Sequence, residues 1–361
     1  MHKTLIAAAL VGLTLPGGTL LAADGFSLKD KPKPAWLYFS VKNDGGWQQA
    51  FEEARVKMEA SLDMKIPYVD NVGEDDATVR PAAERYIQHG YNIILGTSFG
   101  QSQVFKTLSE KYPELAFLNA AGTTNGPNLQ SYYGRSYESH YLCGMVAGAM
   151  SKSGKIGFVA AHPFGLVNWV VNGYELGIKK INPNATLTTV FTGSWDDPVK
   201  ERAAAEALAD QGVDVIGEHV NGPTPELVAQ EHGIYSTAHH RDKTSYAPKA
   251  NLCSAIWTWD KFLVPEIKKI AAGGWKPNPY GAFMSMKEGS TDIVCCSSVV
   301  PKAVVDKVMA EREAIIGGKQ VFAGPIVDRD GKERVAAGQA LSDADLWKMD
   351  WYVPGVITQK K

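Results

Sequence analysis

The sequence has no excess of charge of either sign and no phosphate-binding motif. Its 361 residues include 37 Lys and Arg against 39 Asp and Glu, so it lacks the strongly basic balance that marks nucleic-acid binders. Neither G-x-x-x-x-G-K-[ST] nor G-x-G-x-x-G occurs, and these are the common motifs that cradle nucleotide phosphates. We therefore expect no nucleic-acid partner, and no cofactor is indicated.

Cysteine is scarce. The chain has four, Cys143, Cys253, Cys295 and Cys296, which are too few for a disulfide scaffold and lack the spacing of a zinc site. Neighbouring cysteines such as Cys295 and Cys296 rarely bond to each other. An oxidising compartment would permit one long-range bridge, but the sequence does not choose its partners.

Long apolar runs are missing beyond the N-terminus. The apolar stretch at 4–15 follows a basic start and is shorter than the roughly 18 residues that a membrane-spanning helix needs. A Pro-Gly-Gly break and small residues come next, an order typical of a secretory signal peptide. We predict that residues 1–23 are removed before Asp24 and that the mature chain is soluble in the periplasm. No cysteine lies near this cleavage site, so no lipid anchor is expected.

The mature chain contains two runs in which short apolar segments alternate with amphipathic ones. The first predicts strands at 36–41, 65–69, 92–97 and 115–120, separated by helices at 47–62, 79–90 and 103–112. The second predicts strands at 155–160, 186–192, 213–217 and 234–238, separated by helices at 167–182, 198–211 and 224–232. Such alternation favours parallel sheets covered by helices on both faces. The apolar segment 141–150 joins the runs without linker composition, so we predict an α/β fold of two lobes with a hinge and a cleft.

Ligands of open α/β sheets bind beyond the carboxyl ends of the strands. In this chain the turns at those ends are rich in aromatic and neutral polar residues, and a flat ligand could stack between such rings while polar groups hydrogen-bond its edge. We name as candidate ligand-binding residues Trp47, Gln48, Ser98, Phe99, Trp169, Trp195, His219 and Asn221. The tryptophans outside these turns are expected to be packing residues: Trp36, Trp275, Trp347 and Trp351.

An enzymatic alternative rests on one short motif. Residues 96–100 read Gly-Thr-Ser-Phe-Gly and match G-x-S-x-G between a predicted strand and a predicted helix, which is the context of a nucleophile elbow. A secreted serine hydrolase using Ser98 is therefore an alternative. No His-Gly-Gly oxyanion loop follows the preceding strand, so we expect no enzyme.

A metal site is the other chemical alternative. His239, His240 and Asp242 follow the last strand of the second run, and His219 ends another strand; imidazole and carboxylate groups are zinc ligands. Adjacent residues on an extended segment point in opposite directions. We therefore expect His240 to be a hydrogen-bonding group in the cleft, with Asp242 beside it, and no metal.

Several stretches resemble the basic membrane protein family of ABC-transporter solute-binding proteins, which includes purine nucleoside receptors. They keep that family's order between about residues 35 and 275 and comprise 44–47, 94–100, 141–148, 155–159, 182–185 and 195–201. The span 155–201 is the most specific, and the tail resembles the family more weakly.

The resemblance implies two Rossmann-like lobes of the type I periplasmic-binding-protein architecture, joined by three crossovers. It implies an N-terminal lobe of 24–148 plus about 254–305, and a C-terminal lobe of 149–253 plus about 306–361. It also implies a purine-type ligand stacked between aromatic rings, with Trp47 as the first-lobe ring and Trp195 as its second-lobe counterpart.

Two departures bear on the ligand. Nucleoside receptors of the family carry an acidic residue and a lysine where this chain has His240 and Trp257. A ribose hydroxyl left unpaired in a closed cleft costs about 1–3 kcal/mol, so we expect a free nucleobase or a similar flat heterocycle, with a nucleoside receptor as the alternative. The predicted partners are this small molecule and the membrane permease of an ABC importer, and the protein is expected to be a monomer. A sensory protein that presents the ligand to a membrane receptor would share the same fold and site.

Overall fold

The computed structural model describes residues 25–360, so the predicted signal peptide lies outside the described residues. Two sheets of six and seven strands form the centres of two lobes. Every strand and helix of the two predicted runs is present, with the ends of most of them shifted by a few residues. The predicted two-lobed α/β fold is confirmed.

The first lobe is built on a parallel sheet in the order β11-β5-β4-β3-β1-β2. Its strands are β1 (Pro34–Leu37), β2 (Tyr68–Val69), β3 (Ile93–Gly96), β4 (Ala116–Ala120), β5 (Leu129–Gly134) and β11 (Ala282–Met284). Its helices are α1 (Trp47–Leu62), α2 (Asp76–Gln88), α3 (Ser102–Lys111) and α8 (Trp259–Ala272). The central strands β1, β3 and β4 are buried along their whole length, as expected for a sheet covered on both faces.

The second lobe is built on the sheet β12-β10-β9-β8-β6-β7-β15, in which only β12 is antiparallel to its neighbour. Its strands are β6 (Lys155–Ala160), β7 (Thr186–Phe191), β8 (Val215–His219), β9 (Tyr235–Ala238), β10 (Asn251–Trp257), β12 (Thr291–Cys295) and β15 (Val356–Lys360). Its helices are α4 (Ser136–Met150), α5 (Gly165–Ile181), α6 (Pro198–Asp210), α7 (Thr224–Glu231) and α9 (Lys302–Ile316).

Sheet membership shows where the chain passes between the lobes. It crosses after β5, after β10 and between β11 and β12, where a 3-10 turn (Met286–Glu288) lies. These crossings fall near residues 135, 258 and 285–290, whereas the predicted boundaries are 148, 254 and 305. The difference arises because α4 packs on the second lobe and β12 pairs with β10.

Helix α4 shows why the segment 141–150 lacks linker character. It is buried on nearly all sides and packs closely along α5. A Cβ at Gly144 would lie 2.0 Å from the carbonyl oxygen of Tyr174, and one at Gly177 would lie 1.9 Å from that of Tyr141. Glycine at these two positions therefore allows the two backbones to approach each other.

The C-terminal segment wraps the second lobe. It contains β13 (Ile326–Val327), β14 (Glu333–Val335), α10 (Asp343–Trp347) and β15, which extends the sheet beside β7. Two asparagines of α5 hold it: Asn168 donates to the Met349 carbonyl at 2.8 Å, and Asn172 donates to the Trp351 carbonyl at 2.9 Å.

Two further features concern membranes and cysteines. None of the helices between residues 25 and 360 is both long and apolar enough to span a bilayer. Cys295 and Cys296 are bonded to each other, which is uncommon for neighbouring cysteines. Strand β12 ends at Cys295. Neighbouring side chains point to opposite faces only within a strand, so the strand does not hold the side chains of Cys295 and Cys296 apart.

Candidate functional site

The carboxyl ends of the two sheets face one cleft, and the lobes touch across it. Asn221, in the turn after β8, accepts the backbone N–H of Trp47 at 2.7 Å and donates to Asp44 at 2.9 Å. Asp44 also accepts the backbone N–H groups of Gln48 and Gln49 and so caps α1, which ties the first turn of this helix to the second lobe. The ion pair of Arg241 with Glu53, at 2.6 Å, is a second link between the lobes. The structure is a closed arrangement.

Trp47 lies at the centre of an aromatic cluster in the cleft. Its Nε1 donates to the Thr97 carbonyl at 2.8 Å, which fixes the indole against the end of β3. Its ring centroid lies 5.8 Å from that of His240 and 5.7 Å from those of Trp257 and Trp259. Groups from both lobes therefore surround one indole.

His240 and Trp257 form a pair instead of standing free. Trp257 Nε1 donates to His240 Nδ1 at 2.9 Å, which assigns the imidazole proton to Nε2 because indole is a donor only. Trp257 also stacks on Trp259, with centroids 4.5 Å apart and planes 16° apart. The φ of His240 is +73°, a region that residues with a side chain seldom adopt.

This backbone conformation overturns one premise of the sequence analysis. The rings of His239 and His240 do not point in opposite directions, because His240 leaves the extended conformation; their centroids are 4.0 Å apart. The rings of His239 and His219 are stacked at 4.7 Å. Stacked rings do not converge on one ion, and the part of the chain that the structure describes contains no group of three or more ligating side chains fit to hold a metal.

The histidines nonetheless form a polar floor beneath the cleft. Both ring nitrogens of His219 and both of His239 are buried without a hydrogen-bond partner among the described residues. Burial lowers the pKa of both side chains well below the usual range. Neighbouring imidazoles lower it further, His140 for His219 and His240 for His239. These imidazoles are therefore neutral, and each has one N–H donor and one acceptor to offer.

A buried ion pair positions the two turns that carry these histidines. Lys243 is wholly buried and donates to Glu218 at 2.9 Å and to the Gly222 carbonyl at 2.8 Å. Glu218 in turn accepts the backbone N–H groups of His239 and Val220 at 2.6 and 2.8 Å. This pair was not predicted from the sequence, although a glutamate within the apolar run of β8 indicates a buried charge with a partner.

Exposed aromatic rings form the rim. Trp195 is 39% exposed and its centroid lies 5.8 Å from that of His219, 5.8 Å from Phe164 and 5.5 Å from His162. Phe99, at the end of β3, is 65% exposed. The structure thus brings Trp47, Trp195, His219 and other predicted residues to one cleft.

Other predicted residues lie differently. Gln48 is buried and bonded to Thr97 at 3.0 Å, and Asp242 is exposed and caps the N–H of Thr244. Trp169 is fully buried behind the cleft, among Tyr133 and Phe283 of the first lobe and Trp347 of the C-terminal segment. Trp347, predicted as a packing residue, is 44% exposed and contacts both lobes.

Ser98 is bonded through its hydroxyl to a carboxylate and not to a histidine. Its hydroxyl donates to the Glu74 carboxylate, and its carbonyl accepts from Asn119 at 3.1 Å. A catalytic serine needs a base that can take its proton, which is most often a histidine. The four clustered histidines lie at the second sheet, whereas Ser98 follows β3 in the first.

Two lobes that close over a ring-lined cleft define a two-lobed solute-binding protein. The model of the family described as ABC transporter substrate-binding protein, PnrA-like (Bmp), matches residues 31–322. The chain belongs to this family, which confirms the resemblance found in the sequence. Its members are extracytoplasmic proteins that deliver small molecules to a membrane permease.

Two relatives match most of the length of the chain. The chain is 31% identical over 332 residues to a purine-binding protein of Brucella abortus, covering 91% of this chain and 93% of that protein. It is 30% identical to a putative ABC transporter glucose-binding protein of Haloferax volcanii, covering 83% and 76%.

In fold it is similar to a transcriptional activator of the comK gene from Bacillus halodurans, with a TM-score of 0.71, 22% identity and coverage of 80% and 99%. An ABC transporter solute-binding protein from Conexibacter woesei aligns with a TM-score of 0.68, 18% identity and coverage of 80% and 97%.

Proposed function

We propose that this protein binds a free purine-type nucleobase, or a similar flat heterocycle, between its lobes and presents it as a monomer to the permease of an ABC importer. The observation that carries the proposal is the floor of His219 and His239, whose four ring nitrogens are buried without a partner among residues 25–360. The Trp195 ring lies beside His219, and the Trp47 ring lies beside His240, which adjoins both histidines. Each unpaired buried polar group costs about 1–3 kcal/mol. A ligand that pairs them and stacks on the indoles is therefore favoured.

The charge of the site supports an uncharged ligand. Burial keeps His219, His239 and His240 neutral, and the nearby Lys243 is already paired with Glu218. These four side chains therefore offer no free positive charge to balance a phosphate or a carboxylate. A purine base is flat, neutral and edged with donors and acceptors.

The pair of His240 and Trp257 favours a base over a nucleoside. This chain has His240 and Trp257 where the nucleoside receptors that it resembles carry an acid and a lysine. The two side chains are hydrogen-bonded to each other. Neither offers the carboxylate or ammonium that would replace water around ribose hydroxyls. The purine-binding relative from Brucella abortus is consistent with this ligand class.

A thermal-shift and calorimetric screen of the chain from Asp24 onward tests the proposal. A ligand that binds only the folded state raises the unfolding free energy by about 2.7 kcal/mol at a hundred times its dissociation constant. Binding of adenine, guanine or hypoxanthine without their nucleosides supports the proposal. Binding of nucleosides alone selects the nucleoside-receptor alternative, and binding of glucose alone refutes a flat heterocycle.

A variant at the rim tests the stacking. Trp195→Ala removes an exposed ring, and an offset stack contributes about 0.5–1.5 kcal/mol beyond buried area, so we expect the Kd for the base to rise roughly tenfold. Val199→Ala is the matched control, because Val199 is 79% exposed near the start of α6. Equal Kd values for both variants would contradict stacking on Trp195.

A further inference from the structure

The four cysteines lie together beneath one face of the second sheet. Cys143 on α4 and Cys253 on β10 have their Sγ atoms 3.4 Å apart. Cys295 of β12 lies directly opposite Cys253 in the antiparallel pair and is bonded to Cys296. Opposite residues of such a pair share a face with their Cβ atoms about 4.5–5.5 Å apart. Two thiols and one disulfide therefore form a single cysteine cluster.

The two halves of the cysteine cluster differ in access to solvent. Cys143 is 1% exposed and Cys253 is 2% exposed, whereas Cys295 and Cys296 are half-buried. A dissolved oxidant can reach the bonded pair but not the thiols. Burial also raises the pKa of the Cys143 thiol, which keeps it protonated and slow to react with outside reagents.

We propose that Cys295–Cys296 is a shuttle disulfide that oxidises the buried pair to a Cys143–Cys253 disulfide. The Cys253 thiol loses its proton and attacks Cys295 Sγ; the Cys253–Cys295 bond forms, the Cys295–Cys296 bond breaks, and Cys296 leaves as a thiolate that takes up a proton. Cys143 then attacks Cys253 Sγ, and Cys295 leaves in the same way. Two electrons and two protons pass to the outer pair, which a dissolved disulfide such as oxidised glutathione can reoxidise.

Access to solvent sets the direction of transfer, because a dissolved oxidant can reoxidise the half-buried outer pair and cannot reach the buried thiols. Folding brings Cys143 and Cys253 together from 110 positions apart, whereas Cys295 and Cys296 are neighbours in sequence. A cross-link that closes a long loop restricts the unfolded chain more than one between neighbours, so the Cys143–Cys253 bond, once formed, stabilises the folded protein more. The family is extracytoplasmic, and disulfides form and persist in oxidising compartments outside the cytoplasm.

The new bond would act near the ligand. Cys143 lies one helical turn after His140 on α4, and Cys253 lies on the strand that ends at Trp257. His140 lies 4.4 Å from His239, centroid to centroid. The buried disulfide would therefore join α4 to β10 directly beneath the polar floor of the cleft.

Reoxidation of the reduced, folded protein tests the shuttle. The chain from Asp24 onward is reduced, freed of reductant, exposed to oxidised glutathione without denaturant, quenched with N-ethylmaleimide in denaturant, and mapped by mass spectrometry. We expect the Cys295–Cys296 bond first and the Cys143–Cys253 bond second. Absence of the Cys143–Cys253 bond, or its appearance before the other, would overturn the proposal.

A variant pair tests the route independently. In Cys295→Ala/Cys296→Ala the buried disulfide should form at least about tenfold more slowly, because the buried thiols lose their only adjacent exchange partner within the described chain. Ser297→Ala/Ser298→Ala is the control and should reoxidise like the wild type. Equal rates in the two variants would refute the shuttle, and if the cysteine variant does not fold, the order of bond formation in the wild type decides.

Discussion

The burial of His140 predicts a specific loss of stability in acid. Burial lowers the pKa of His140 from its usual 6.5 to about 4, although the Ser136 carbonyl and the Glu218 carboxylate oppose the shift. The unfolded chain therefore binds one proton more than the folded chain between these two pH values. The free energy of unfolding should fall as the pH drops below 6.5 and should continue to fall to about pH 4.

The magnitude follows from the two pKa values. With 6.5 unfolded and about 4 folded, linkage gives a loss of about 2 kcal/mol between pH 7 and pH 5. Glu138 and Glu175 act in the opposite sense, because burial raises their pKa values to about 7 and about 8. The comparison must therefore be made against His140→Gln, which retains both glutamates.

Urea unfolding at both pH values measures the effect. The free energy of unfolding of the wild type should fall by about 2 kcal/mol more than that of His140→Gln. The constant difference caused by the substitution itself cancels when each protein is compared with itself. His232→Gln, at an exposed position, is the control and should follow the wild type. Parallel pH profiles for wild type and His140→Gln would refute the assignment of a neutral buried imidazole.

Two other substitutions test the closed arrangement and its support. Asn221→Ala leaves the Trp47 N–H without its partner only when the lobes are closed. The Kd of the bound base should therefore rise roughly 5- to 150-fold, equivalent to about 1–3 kcal/mol, with little change in the unfolding of the protein without ligand. Asn184→Ala, at an exposed position, is the control, and an unchanged Kd for Asn221→Ala would contradict closure through Asn221. Lys243→Met should lower the free energy of unfolding in urea by about 3–5 kcal/mol, because it leaves the Glu218 carboxylate buried and unpaired. A decrease below about 1 kcal/mol would show that the pair is not buried.

The fold was largely predictable because its signals are local. The periodicity of α1 and the apolar run of β6 were sufficient to place both elements at their observed bounds. The returns to the first lobe were harder to place. Strand β11 has three residues, and β10 and β12 join the second sheet through pairings that only the tertiary structure defines. Lobe boundaries depend on those pairings and cannot be predicted from any one segment of the sequence.

The site was predictable by position more than by side-chain role. The rule for strand ends led to Trp47, Trp195 and His219 because parallel topology alone determines where those ends meet. It could not show that Trp169 is buried behind the cleft, since α5 is covered by the C-terminal segment. Nor could it show that His240 turns away from the extended conformation.

The C-terminal segment gives the closed arrangement a second support at the rear of the cleft. Arg135, at the first crossover, pairs with Asp343 at 2.7 Å and lies 4.2 Å from the ring of Phe283 in the first lobe. Trp347 contacts Phe283 at 5.2 Å and Trp169 of the second lobe at 4.7 Å. The Trp347 ring thus packs against both lobes beside the first crossover, on the side away from the contact of Asn221 with Trp47. The packing of this segment and the Asn221 contact therefore both stabilise the closed arrangement of the lobes.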